Sequence, residues 1–334
     1  MVIGSGIEAL GDLDVTDLGS APRGRTTSLR RAGDDIIWEI SFETAAPLPT
    51  PPEEAKAVYF ISPGRVELRN EPVEPGPGEV LVKSRIIGIS HGTEMHIYQG
   101  TFPPGSSDDA LASLDGPMEY PLKYGYMNAG QVDDGDRVFA FYPHQDRFCC
   151  PSDRLIRFPD DIGLEDIVLY PSMETAYTLV LDTACLPGER VLVIGQGMIG
   201  LLTASMLNLQ TGLHTAAIET DEYRSGRSAE AGIRCVCTGG LNTGEIRKII
   251  LTLFGGKPPD RIIHLSGTGF GLQLAIDSAA FEGRITEGSW YGSRTAELRL
   301  GENFHRKRLT LAASQVSSVP GNLVSILHRP FSGT

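Results

Sequence analysis

The stretch RVLVIGQGMIGLL, Arg190 to Leu202, constrains this chain more than any other. An apolar strand runs straight into Gly195, Gly197 and Gly200, and a second apolar run without proline follows. A strand with no polar face belongs in the interior of a parallel sheet. The G-x-G-x-x-G spacing at its end has a physical meaning at each glycine. The first makes a tight turn, the second lets backbone approach a pyrophosphate, and the third lets helix and strand pack closely. A helix opening at Met198 and Ile199 then turns unpaired N–H groups and a partial positive charge toward the phosphates. The motif alone is weak evidence; between a strand and a helix it predicts a dinucleotide site.

The next strand ends in AAIETDEYR, which puts Glu219 nineteen residues after Gly200. An acid there accepts hydrogen bonds from a ribose diol and repels a 2′-phosphate, so NAD is expected. Arg224, five residues further on, keeps NADP as the alternative. The competing reading of Glu219 is an exposed acid capping a helix. Further short apolar runs at 214–219, 235–238, 261–266, 283–289 and 308–314 read as strands. Helical stretches at 198–210, 243–254 and 269–281 separate most of them. That alternation predicts an α/β, doubly wound Rossmann sheet. Before it the texture is β: KAVYFIS, RVELRNEPV and EVLVKSRIIGIS, divided by turn residues.

At 334 residues the chain exceeds what one core usually supports. The expected division is an extension and proline-rich linker (1–54), a β-rich lobe (55–165), the Rossmann domain (166–315) and a short tail (316–334). The arginines near the start (Arg23, Arg25, Arg30, Arg31) read as a solvated face. A net charge of −13 argues against nucleic acid and anionic lipid as partners. The five cysteines show no C-x-x-C spacing and lie in apolar runs, so they read as buried thiols in a reducing compartment. Acidic residues Glu8, Asp12, Asp14 and Asp17 argue against a targeting peptide, and the expected location is the cytoplasm. Val191 to Ile218 carries no charged residue, a length that could span a bilayer. Its Gln196, Asn208, Gln210 and His214, with a break at Thr211-Gly212, favour a soluble strand–helix–strand.

GDRV (Gly135–Val138), the Thr175-Ala176-Tyr177 segment and the glycine loop fall in an order that resembles the medium-chain dehydrogenase/reductase superfamily, zinc alcohol dehydrogenase type, from about Lys56 to Ser314. KYGYMNAG, FYPHQDRF, SWYG and FHRKRLTLAASQV are similar to a branch near the bacteriochlorophyllide dehydrogenases. The resemblance implies a GroES-like β-rich lobe ahead of the Rossmann domain, and an oxidoreductase. It also implies a metal loop, which here reads GISHGTE. Ser90 or His91 stands where zinc members carry cysteine, Tyr126 where they carry a ligand histidine, and Met127 where they carry glutamate. Near the third position, Tyr170-Pro171-Ser172, only Glu174 can coordinate, and the four-cysteine structural lobe is missing. A catalytic zinc needs three protein ligands, so the pattern speaks against zinc. Polarising groups must then come from side chains: Thr93 at the family's proton-relaying hydroxyl, Tyr126 as a phenol donor, and His91, which titrates in a useful range. Glu94 matches an orienting acid, and His96 reads as packing at the start of a helix. The resemblance puts Thr175 beside a nicotinamide, with Ser266 in HLSGTG, and Ser289 and Trp290 in GSWYG, along the ribose and carboxamide. Trp290 and Tyr291 also fit ordinary core aromatics.

Two departures matter. Only Asp133 and Asp134 separate GYMNAGQV from GDRV, and the chain runs about twenty residues past its last expected strand, so a C-terminally truncated fold is expected. Three readings stay open. The first is a zinc-independent NAD(P)-linked oxidoreductase acting on a carbonyl or secondary alcohol. The second is a catalytically silent relative that keeps a dinucleotide or partner. The third is a zinc enzyme using His91 and Glu174. A small-molecule substrate and a homodimer through the Rossmann domain are the expected partners. The polar run between Thr101 and Gly125 reads as a long mobile loop bordering the pocket.

Overall fold

The structure is a computed structural model that describes residues 53–103 and 118–316, with the backbones of three short strands nearer the N-terminus. Those strands, β1 (Ile3–Ser5), β2 (Arg30–Ala32) and β3 (Asp35–Ile37), pair in the order β1-β3-β2 within what the sequence suggests is an irregular start. The proline-rich run, most of the Thr101–Gly125 loop and the tail beyond Val316 lie outside the described residues. The chain divides into two compact units, with the boundary between Pro171 and Ser172.

Beside the β1-β3-β2 sheet, the first unit holds two larger groups of antiparallel strands. β4 (Glu53–Ser62) pairs with β5 (Arg65–Val73) and with β7 (Leu122–Lys123). The larger sheet comprises β6 (Glu79–Gly88), β8 (Met127–Gln131), β9 (Arg137–Ala140), β10 (Arg147–Pro151) and β11 (Ile156–Phe158), in the order β10-β6-β8-β9-β11. The short stretch at Asp133-Asp134 is accounted for here. β8 turns directly into β9, with Gln131 opposite Arg137 and the Val132 amide donating to Asp136, so a tight hairpin replaces the longer connection. Two short helices, α1 (Thr93–Gln99) and α2 (Leu164–Ile167), complete the unit.

The helix α3 (Tyr170–Thr183) carries the boundary. The second unit then alternates β12 (Arg190–Ile194), α4 (Met198–Asn208), β13 (His214–Glu219), α5 (Glu222–Glu230), β14 (Cys235–Cys237), α6 (Thr243–Leu253), β15 (Arg261–His264), α7 (Gly269–Ser278), β16 (Arg284–Glu287) and β17 (Thr310–Ala313). All six strands are parallel, in the order β14-β13-β12-β15-β16-β17. That is the doubly wound arrangement, with the switch point between β12 and β15. Alternation along β12 feeds two cores: Leu192 and Ile194 join one apolar cluster, Val191 and Val193 the other. Val191, Leu192 and Val193 are fully buried, each worth about 1.5–3 kcal/mol in water-excluded apolar surface. Asn242 and Glu245 form a capping box that starts α6. The uncharged run from Val191 to Ile218 is thus β12, α4 and β13, and no helix among the described residues is long and apolar enough to cross a membrane.

All five cysteines lie among the described residues and are free, but only Cys150 is buried; Cys149, Cys185, Cys235 and Cys237 are half-buried. The expectation of five buried thiols is corrected to that extent. Cys149 lies on β10, Cys235 and Cys237 on the edge strand β14, and Cys185 in the connection after α3, rather than in the interior of a sheet. Burial pushes the Cys150 and Cys185 thiols up to about 11. Both are therefore expected to alkylate at pH 7.5 more slowly than a free thiol by a factor on the order of 10², which timed iodoacetamide labelling with peptide mass spectrometry would read.

Candidate functional site

In the second unit, the glycine loop is built by contacts that only glycine permits. Gly195 sits at φ +96°, and its amide donates to Ile218 at the end of β13. A Cβ on Gly200 would lie 2.0 Å from the Gly195 carbonyl oxygen, which fixes how closely α4 starts against the loop. Gly197 is different. It is the N-cap of α4, has no side-chain cap, and a Cβ there would meet nothing within 4 Å. The space in front of the helix N-terminus is therefore open where the first-turn N–H groups of α4, beginning at Met198 and Ile199, are unpaired.

Glu219 closes this loop from the side. It is 7% exposed, and its Oε2 accepts from the Gln196 amide at 2.6 Å. Its Oε1 accepts from the amides of Thr220 and Asp221. The alternative of an exposed capping acid does not hold, because the cap of α5 is Asp221, which accepts from the Arg224 amide. Oε2, with one donor, keeps capacity for a further hydroxyl. Arg224 lies half-buried in the first turns of α5. Ser266 and Ser289 flank the carboxyl ends of β15 and β16: Ser266 is exposed, and the Ser289 hydroxyl accepts from the Gly267 amide. Trp290 is 37% exposed, so it is not the core aromatic that its residue type also suggests. Thr175 is half-buried on α3.

In the first unit, the loop GISHGTE and the strand start at Tyr126 come together. Tyr126 hydrogen-bonds with the Ser90 and Thr93 hydroxyls, and burial, with the nearby Glu94 carboxylate second, pushes its phenol up to about 12. It stays protonated across the working pH range, and both neighbouring hydroxyls can donate to its oxygen. Its own proton is left to be offered elsewhere. His91 is half-buried at the head of this loop. His96 is buried, its Nδ1 2.8 Å from the Thr101 hydroxyl, as packing at a helix start requires.

Sequence reasoning missed His144. Its Nε2 lies 2.6 Å from Glu94 Oε2, in a pair whose side chains are 5% and 2% exposed. Glu94 Oε1 accepts from the Ser90 amide, so the pair braces the same turn that holds Tyr126. His144 is pinned by its backbone, its amide donating to Tyr124 and its carbonyl accepting from Val58. Gly125 makes room for the ring: a Cβ there would lie 2.6 Å from Nδ1. His144 Nδ1 is buried without a hydrogen-bond partner. The signal in the sequence was a lone histidine between Pro143 and Gln145, fifty positions from Glu94.

The zinc ligand set can be tested on these residues. Tyr126 is a protonated phenol engaged with two hydroxyls, and Glu94 has both oxygens committed. Among the described residues no group of three or more His, Cys, Asp or Glu side chains is placed to hold a metal. A catalytic zinc takes three protein ligands.

No protein-family model matches the chain. Relatives do. Sorbitol dehydrogenase of Ovis aries is 23% identical over 265 residues, covering 68% of this chain and 72% of its own. The 2-desacetyl-2-hydroxyethyl bacteriochlorophyllide A dehydrogenase of Cereibacter sphaeroides is 28% identical over 177 residues, 45% of this chain and 52% of its own. A Sinorhizobium meliloti protein assigned as a zinc-binding dehydrogenase, bound to NADP, superposes with a TM-score of 0.63 at 18% identity, over 78% of this chain and 84% of that one. An Escherichia coli alcohol dehydrogenase complexed with NADH gives 0.62 at 18% identity, over 79% and 84%. The relatives and structural neighbours of this chain are thus zinc-type alcohol dehydrogenase-like proteins of the medium-chain dehydrogenase/reductase superfamily, a bacteriochlorophyllide dehydrogenase among them, and the fold is theirs. Their names support an oxidoreductase.

Proposed function

We propose that this protein is an NAD(P)-dependent oxidoreductase that moves hydride to or from a carbonyl or secondary alcohol without a catalytic zinc, preferring NAD. The observation that carries the reading is the glycine loop, closed at Gly195 and Gly200 and open at Gly197 before a helix N-terminus. A bound dinucleotide would supply the hydride. The chain supplies the rest. The α4 N-terminus receives the pyrophosphate, Glu219 Oε2 accepts a ribose hydroxyl, and Tyr126 offers its phenol proton to the carbonyl oxygen. Thr93 and Ser90 hold that phenol, and Glu94 with His144 fixes the loop beneath it. Thr175, Ser266, Ser289 and Trp290 are assigned to the nicotinamide half of the cofactor. The substrate is a small molecule, and a homodimer through the second unit and a cytoplasmic location complete the proposal.

The test is titration of the purified protein, its metal content recorded, with NADH and NADPH, followed by fluorescence and thermal shift. NADH is expected to saturate in the micromolar range and NADPH to bind about tenfold more weakly, a difference of about 1.4 kcal/mol. No binding of either by the folded protein would leave the glycine loop structural and the silent reading in its place.

A further inference from the structure

A second constellation lies wholly within the six-stranded unit, at the carboxyl ends of β15 and β16. Parallel register sets His264 beside Glu287. The His264 side chain is fully buried, with Nδ1 2.6 Å from Glu287 Oε2 and Nε2 2.6 Å from Ser266 Oγ. Glu287 is held in turn: the Ser289 amide donates to Oε1 at 2.8 Å, and the Tyr291 hydroxyl to Oε2 at 3.2 Å. An ionised carboxylate only accepts, so the proton of the neutral ring sits on Nδ1 and Nε2 presents a lone pair to the Ser266 hydroxyl. Ser266 is exposed, and the Thr268 hydroxyl, 3.0 Å away, supports its oxygen from the other side. The order is nucleophile, base and orienting acid, each within hydrogen-bond reach of the next, an arrangement that recurs on unrelated folds. Thr268 is also the N-cap of α7, whose first-turn amides at Gly269 and Phe270 have no intrahelical partner and can receive a developing oxyanion.

The geometry points to a charge-relay triad of Ser266, His264 and Glu287, which makes Ser266 a nucleophile toward carboxylic esters and gives the protein an esterase activity beside hydride transfer. The inference does not rest on the dinucleotide reading, in which Ser266 is a passive contact. As Ser266 Oγ bonds to the acyl carbon, its proton passes to His264 Nε2 and the carbonyl π-electrons move onto oxygen. Collapse of that adduct breaks the ester C–O bond, and the departing alcohol takes the proton from Nε2. Water then attacks the acyl-serine with His264 as base, releasing the carboxylic acid and restoring Ser266. Glu287 stays ionised throughout.

The experiment treats the full chain with a fluorophosphonate probe and, separately, with p-nitrophenyl acetate. Labelling of one serine, mapped to Ser266 by peptide mass spectrometry, and a p-nitrophenolate burst matching the protein concentration are expected. Ser266→Ala, at an exposed position, should abolish both while the thermal transition stays within a few degrees. Glu287→Gln, which keeps the shape but no longer holds the ring in the required tautomer, should slow acylation by a factor on the order of 10²–10⁴. An unlabelled wild-type protein, a label on another residue, or undiminished turnover in Ser266→Ala would overturn the assignment and leave the three residues as a structural ladder.

Discussion

Gly200→Ala is expected to destabilise the six-stranded unit severely, while Gly197→Ala leaves it folded and removes dinucleotide binding. The two glycines are three residues apart in one motif, yet their surroundings are opposite. A methyl on Gly200 meets the Gly195 carbonyl oxygen at 2.0 Å and its carbon at 2.9 Å. Both atoms are backbone and cannot swing away, so either the loop or α4 must move. Gly195 is itself held by the hydrogen bond its amide donates to the Ile218 carbonyl and by the Leu265–Ser266 backbone that a Cβ on it would approach at 2.9 Å. A forced backbone shift in such a place costs about 3 kcal/mol or more, which lowers the melting temperature of a unit this size by roughly 6–12 °C. At Gly197 the backbone is at φ −66°, a value open to any residue, and the methyl enters open space. Its effect on stability should stay within about 1 kcal/mol. It takes up the room the pyrophosphate needs, so NADH affinity is expected to fall at least ~30-fold, about 2 kcal/mol. Differential scanning fluorimetry and NADH titration of both variants make the comparison. A Gly197→Ala protein that binds NADH like the parent would remove the pyrophosphate from this loop.

The contrast also shows what a sequence discloses. The strands at 190–194 and 214–219 were legible to the residue, because a parallel strand buried on both faces is a continuous apolar run. The α5 helix was not read, because EYRSGRSAE is polar and carries an internal glycine. Its place is set by the Asp221 cap and by packing Ser225 and Ser228 against the sheet. The glycine loop was legible because its parts are contiguous. Glu219 was found by spacing, but not its burial, since that depends on the Gln196 amide arriving from another strand's end. His144 with Glu94, and His264 with Glu287, were invisible for the same reason. Glu94 was singled out but its partner was not, and only the folded chain brings each pair within 2.6 Å, His264 and Glu287 through parallel sheet register and Glu94 through helix α1.

Glu94→Ala and Tyr126→Phe are expected to separate architecture from chemistry in the first unit. Removing the Glu94 carboxylate leaves His144 Nε2 and the Ser90 amide without their acceptor in a region that water barely reaches. Breaking one side of such a buried pair costs about 3–5 kcal/mol, so Glu94→Ala should unfold at markedly lower temperature and lose activity with its structure. Tyr126→Phe removes one hydroxyl, with a stability change of about 1 kcal/mol. If the phenol polarises the carbonyl, kcat for reduction should drop by a factor on the order of 10²–10⁴ with little change in cofactor affinity. The titration of Tyr126 adds a second readout. Its phenol ionises near 12 in the folded protein but near 10 when unfolded. Between those values the unfolded chain loses the proton first, so folding stability declines as pH rises through that window. Tyr59 and Tyr142 are raised to about 12 as well and contribute to the same decline. The informative quantity is therefore the difference between the parent and Tyr126→Phe in urea melts from pH 9 to 11.5. A shallower decline in the variant, with kcat reduced at neutral pH, identifies Tyr126 as a buried proton donor. Equal slopes and equal kcat would reduce it to packing and move the search for the polarising group to His91 and Thr93.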